Sequence, residues 1–230
     1  MRPRQTILLG LLLLVPVLAF LFLYGFGRNH YALPTYLPER VDSVRTSVGG
    51  GQRDTVFHRI RPLQLRMAGG RPVVGSELGQ GLYVAQFYVP GEAGEQAMRA
   101  LARIQERFRP EPRVRLLTMV ASAATAAATD EQLTKLNEQY GIISGKWLVA
   151  AAPADTLRQL AQYEFGQTAL RPEHYPFRPA TEPANLLPAR LLLVDNAQHV
   201  RGYYDATDKY EVERLITEIN VLLYTYDDRH

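Results

Sequence analysis

Between Ile7 and Phe26 the chain runs for 20 residues without a charge, and no other feature restricts its fold as strongly. As a helix rising about 1.5 Å per residue, this run spans about 30 Å, the hydrocarbon thickness of a bilayer. Pro16 is tolerable inside a membrane helix, and Tyr24 and Phe26 suit the interface. A cleaved signal peptide would have an apolar region of about 7–15 residues ending at a small-x-small site. Tyr24-Gly-Phe-Gly-Arg28 supplies no such site, so an uncleaved anchor is expected. Arg2 and Arg4 precede the run, and the positive-inside bias puts residues 1–6 in the cytoplasm and the remainder outside. Residues 27–54, polar and containing Gly49-Gly-Gly51, read as a tether. Residues 55–230 form one globular domain, large enough to bury most of its apolar surface. The expected place is the cytoplasmic membrane, single-pass, with this domain on the periplasmic side.

The 230 residues include no cysteine. Disulfides, thiolate metal sites and a lipidated cysteine anchor are therefore all excluded. The formal net charge is only +3, and its arginines are mixed with acids rather than gathered into a stripe. No nucleic-acid partner is expected from such a surface.

Along the domain, Val56 to Met67 has partial β alternation, with Val56, Leu63, Leu65 and Met67 on one side. Ala68-Gly-Gly-Arg71 reads as a turn and Pro72-Val-Val74 as a return strand, giving an N-terminal hairpin. Leu82 to Val89 is a nearly continuous apolar run, the pattern of a strand buried on both faces. Met98, Leu101, Ile104 and Phe108 have helical spacing within Glu95–Phe108. Val114–Val120 is a second buried strand, and a helix capped by Thr129 or Asp130 runs to Tyr140 and stops at Gly141. Lys146–Val149 is β-like, and Pro153 opens a helix closed by Gly166. After a proline-rich loop, Arg190–Asp195 and His199–Tyr204 make a hairpin, and Glu211–Leu223 a final amphipathic helix. A βαβ half followed by a ββα half predicts an α/β, thioredoxin-like fold, a central mixed sheet flanked by helices.

In Asp54–Leu63, Leu82–Tyr88, Lys146-Trp-Leu148 and Leu191–Asp205 the chain resembles the Sco/SenC family of thioredoxin-like, membrane-anchored proteins that assist copper insertion into cytochrome oxidase. That family's chemistry rests on a C-x-x-x-C pair just after the first core strand, with a histidine from a later loop. The resemblance sets Glu92 and Gln96 at the two cysteine positions and the histidine position near Leu187. Ala121–Ala128 replaces the acidic stretch that usually follows the second core strand. A carboxylate and an amide are hard donors that match copper(I) poorly and carry no redox chemistry. Copper, expected for the family, thus lacks its ligands here, and no cofactor or metal site is expected.

His174 lies in the loop that carries the family histidine and is a substitute ligand for a rebuilt site, with Glu92 or a methionine, against a plain role as polar surface. His58 and His199 read as strand residues facing solvent or packing locally. Met67, Met98 and Met119 are unclustered and suit the core, while Glu92 and Glu95 suit a helix N-terminus. No nucleophile elbow, phosphate loop or H-E-x-x-H is present. The expectation is a non-catalytic assembly or binding factor linked to cytochrome oxidase maturation. Its partners would be the membrane and oxidase subunits or other assembly factors. Two alternatives stand beside it: a metallochaperone with a rebuilt non-cysteine site, or a structural module unrelated to respiration. Pro90–Gln96 and the Arg171–Pro188 loop are the expected docking surface.

Overall fold

The computed structural model describes residues 14–18, 20–21, 33–44, 52–73, 78, 81–167 and 187–227. The chain divides into two compact units, Met1–Ala32 and Leu33–His230. In the first, residues 14–18 and 20–21 are helical, with Leu14, Val15, Val17, Leu18, Phe20 and Leu21 exposed. No helix among the described residues is long and apolar enough to cross a membrane, and the rest of the Ile7–Phe26 run lies outside them.

The second unit is built on β3 (Leu82–Tyr88), β4 (Val114–Ala121), β5 (Trp147–Ala152), β6 (Arg190–Val194) and β7 (Val200–Asp205), numbered after a short hairpin described below. Among the described residues these form a mixed sheet in the order β5-β4-β3-β6-β7. β3, β4 and β5 run parallel, and β6 and β7 are antiparallel to their neighbours. The apolar run of β3 is buried on both faces for a simple reason. Leu82 and Val84 pack with α1 (Glu92–Arg107), α2 (Ala126–Tyr140) and α4 (Lys209–Asp227). Tyr83, Ala85 and Phe87 pack on the other face with Leu157, Ala161 and Phe165 from α3 (Ala154–Gln159) and the turn after it. The sequence reading of β3 and of the β6–β7 hairpin agrees with this sheet.

The helix termini follow local chemistry. Glu92 and Glu95 occupy the first turn of α1 and Arg107 its last, each facing the helix-dipole end of opposite sign. The cap of α2 is Thr125 rather than Thr129 or Asp130: its hydroxyl accepts from the Ala128 N–H at 3.1 Å. Ala126–Ala128 are strong helix formers and extend the helix by nearly a turn, leaving Thr129 inside it. Gly141 ends it in the left-handed region at φ 59°. Thr125→Ala should lower the denaturant midpoint by an amount worth about 1 kcal/mol with unchanged slope. No change would return the cap to Thr129.

The N-terminal hairpin differs from the sequence reading. β1 (Pro38–Val44) pairs antiparallel with β2 (Gln52–Phe57), so part of the expected 27–54 tether belongs to the folded unit. The expected Val56–Met67 strand stops at Phe57: past His58, which still reaches the residue before β1, the Ile60 N–H turns away to another segment and Pro62 has none. His58 N–H donates to Leu37 O and Ile60 N–H to Gln198 O, at 2.8 and 2.9 Å. What survives is Arg66, bridged to Pro72 across the predicted Ala68–Arg71 turn, observed as Ala68–Gly70, and also to Ala151 of β5.

His58 is corrected as well. It is buried, with Nδ1 2.7 Å from Glu39 Oε1 and Nε2 3.2 Å from Glu164 Oε2. Glu164 ends a π-helical turn, Leu160–Glu164, and is only 4% exposed. Its carboxylate accepts from the Arg61 backbone N–H at 3.0 Å and from Arg61 Nε at 2.7 Å. This ionic group ties β1 and the segment after β2 to the body of the domain. His199 is half-buried beside Asp195 and edge-on to Phe57.

Candidate functional site

The residues set at the family's chemical positions gather at the C-terminal ends of β3 and β4. β3 exits through Val89-Pro90-Gly91, and Gly91 takes φ 131°, a conformation open to glycine. α1 then starts on Glu92, and its first turn lies so close to the strand exit that a Cβ on Gly94 would fall 2.0 Å from Val89 O. Glu92 is exposed and Gln96 half-buried, and Gln96 Nε2 donates to Glu92 Oε1 at 3.4 Å. The two positions are therefore brought together, one helical turn apart on one face. Ala121 is half-buried and residues 122–128 are exposed, a bare rim without acids. His174 and the rest of the 171–186 part of the loop lie outside the described residues.

Under this surface lie two glutamines that sequence reasoning passed over. Gln86 is fully buried in the middle of β3. Its Nε2 donates to Gly94 O at 3.4 Å and to Pro188 O at 3.3 Å, linking the first turn of α1 to the segment at Leu187. Gln167, also fully buried, accepts from the Leu187 N–H at 3.5 Å through Oε1. Gln86 Oε1 and Gln167 Nε2 have no hydrogen-bond partner among the described residues. A lone amide inside an otherwise apolar strand was the available signal, since buried polar groups persist where they are bonded.

Beside the site, Tyr88 and Pro90 face α2 residues Glu131, Lys135 and Leu136 across a groove of about 370 Å³. Burial, reinforced by Glu95, pushes the Tyr88 hydroxyl above its ordinary range. Lys135 pairs with Glu131 at 2.7 Å, which holds the ammonium above and the carboxyl below their usual ranges.

Among the described residues, the donors at these positions are a poor match for copper(I). There is no thiolate in the chain, and Glu92 and Gln96 offer hard oxygen and are bonded to each other. The thioether of Met98 on α1 is buried and accepts from the Thr118 hydroxyl at 3.7 Å. Thr118 in turn accepts from Trp147 Nε1 at 2.9 Å, so this sulfur belongs to the core. Met119 is also buried, and Met67 is half-buried beside Arg71. Among the described residues no group of three or more histidine, aspartate and glutamate side chains converges as metal ligands do.

No protein-family model and no curated protein matches the chain. Solved structures do. A SCO1/SenC family lipoprotein from Bacillus anthracis str. Ames is similar over 72% of this chain and 95% of its own, with a TM-score of 0.54 and 14% identity. BsSco, a member of the Sco family of cytochrome c oxidase assembly proteins, is similar over 71% and 92%, with a TM-score of 0.51 and 13% identity. These similar structures include members of the family that the sequence resembles, and at this identity the likeness shows a thioredoxin-like α/β fold.

Proposed function

We propose that this protein is a Sco/SenC-like assembly or binding factor that works by contact, without thiol, redox or copper chemistry. The observation that carries the reading is the first turn of α1. The strand exit and the helix start pack closely at Gly94, while Glu92 and Gln96 hold each other where the resemblance places a cysteine pair. Such a surface can recognise a partner, because recognition needs shape and polar complementarity rather than a nucleophile. The Ile7–Phe26 run would hold the domain at the outer face of the cytoplasmic membrane, near oxidase subunits.

The test uses the full-length tagged chain recovered from its own membranes. Cytochrome oxidase subunits should co-purify with it, and Glu92→Arg, at an exposed position, should reduce that recovery several-fold. Equal recovery from wild type and variant would remove the docking surface, and no oxidase subunit from either would remove the assembly role. Copper(I) loading followed by desalting should leave well under one copper per chain. Stoichiometric copper would favour a rebuilt metal site instead.

A further inference from the structure

A second concavity, of about 410 Å³, opens at the opposite end of β3 from the surface described above. Its floor and wall are Ile60, Leu63 and Leu78, and its polar side is Arg59, Asn196 and Gln198. No acidic side chain lines it among the described residues. Arg61 also borders it, but that guanidinium is committed to Glu164 at 2.7 Å.

The polar side presents donors. Arg59 donates through Nε to the neutral carbonyl of Ala197 at 3.0 Å, so its charge is not compensated by any carboxylate contact among the described residues. Gln198 is a non-glycine residue held in the left-handed region at φ 65°, which costs about 1 kcal/mol or more unless its surroundings impose it. They do: its N–H donates to Asp195 O, and its carbonyl accepts from Ile60 N–H. Its side-chain Oε1 accepts from the Tyr83 hydroxyl at 3.2 Å. Tyr83 is fully buried, and burial with Asp195 and Glu164 nearby raises its hydroxyl far above the usual range. The phenol thus remains a donor, Oε1 of Gln198 remains its acceptor, and the free end of that amide is the N–H₂ group. His199 nearby is held below its ordinary range first by burial, with Asp195 pulling the other way and Arg59, Arg201 and His58 adding smaller effects in the direction of burial.

An uncompensated guanidinium, a fixed amide donor and an aliphatic wall together describe a receptor for an anion with an apolar body. We propose that this concavity binds a small aliphatic carboxylate, its head on Arg59 and the Gln198 amide and its chain against Ile60, Leu63 and Leu78. This site is independent of the docking surface at Pro90–Gln96.

The test titrates the full-length chain in detergent with sodium hexanoate, reading the Gln198 side-chain amide and Arg59 Nε signals by NMR. Saturable shifts at both are expected, with hexanamide giving none. Arg59→Gln, at an exposed position, should raise the apparent Kd at least about tenfold. Asn196→Asp, which sets a carboxylate at the mouth, should weaken binding in the same direction. Absence of saturation, equal shifts with hexanamide, or an unchanged Kd in Arg59→Gln would each overturn the assignment.

Discussion

Glu164→Ala should be the most destabilising single change in the ionic group, lowering stability by about 1–3 kcal/mol in urea titration. The carboxylate it removes is 4% exposed and partners both His58 and Arg61. Arg61 is mostly exposed and can turn to water, but His58 is buried and would lose one of its two carboxylates. The effect should also depend on pH. Burial by itself pushes the Glu164 carboxyl up, yet the Arg61 hydrogen bonds and charge, with His58, hold it below the usual range overall. A carboxyl whose folded pKa lies below its unfolded value stabilises the fold above the unfolded value, about pH 4.3. That stabilisation is lost as pH falls through the folded value. The gap between wild type and Glu164→Ala should therefore be widest near neutrality and narrow below about pH 4. A gap that is small, or that widens in acid, would mean the group is not ionised in the fold.

Gly94→Ala should also destabilise, against the usual rule for helices. In an ordinary helix position this change gains about 1 kcal/mol, because alanine forms helix better and loses less chain entropy. At Gly94 the new Cβ would stand 2.0 Å from Val89 O and 3.4 Å from the Tyr88 ring. The nearer atom is backbone, so the start of α1 must move away from the exit of β3. Overpacking of this kind costs about 1–3 kcal/mol, which outweighs the helix gain and lowers the thermal midpoint by several degrees. The same shift separates Gly94 O from Gln86 Nε2, a contact of 3.4 Å. A raised midpoint would show that the strand exit is loosely packed.

Much of the body was legible in the sequence because its signals are local. The β3 run, the β6–β7 hairpin and the Val212–Leu215–Ile219–Leu222 stripe of α4 each announce their element within a few residues. The β1–β2 hairpin does not. Pro38–Val44 reads Pro-Glu-Arg-Val-Asp-Ser-Val, without apolar alternation, and its pairing arises across a glycine-rich connection. The burial of His58 was hidden for a related reason: its partners lie 19 and 106 residues away. Of the candidate site, the missing thiols could be read from composition alone and the Glu92 and Gln96 positions from the family resemblance, whereas their contact could not, because the helix starts at Glu92 rather than at the expected Glu95. The roles of Gln86 and Gln167 could not, because each depends on carbonyl or N–H groups brought from distant segments.

Gln86 has a further consequence, for how the strands find their alignment. Side chains on β3 alternate between two apolar layers, so sliding the strand by one residue exchanges the layers. For aliphatic side chains that exchange is nearly neutral, and an all-aliphatic β3 would tolerate several threadings. An amide is different: moved to the layer of Ala85 and Phe87, it would lose Gly94 O and Pro188 O and face hydrocarbon. The polar atom in the middle of β3 thus acts as an indexing pin, discriminating one alignment of the central strand from its neighbours.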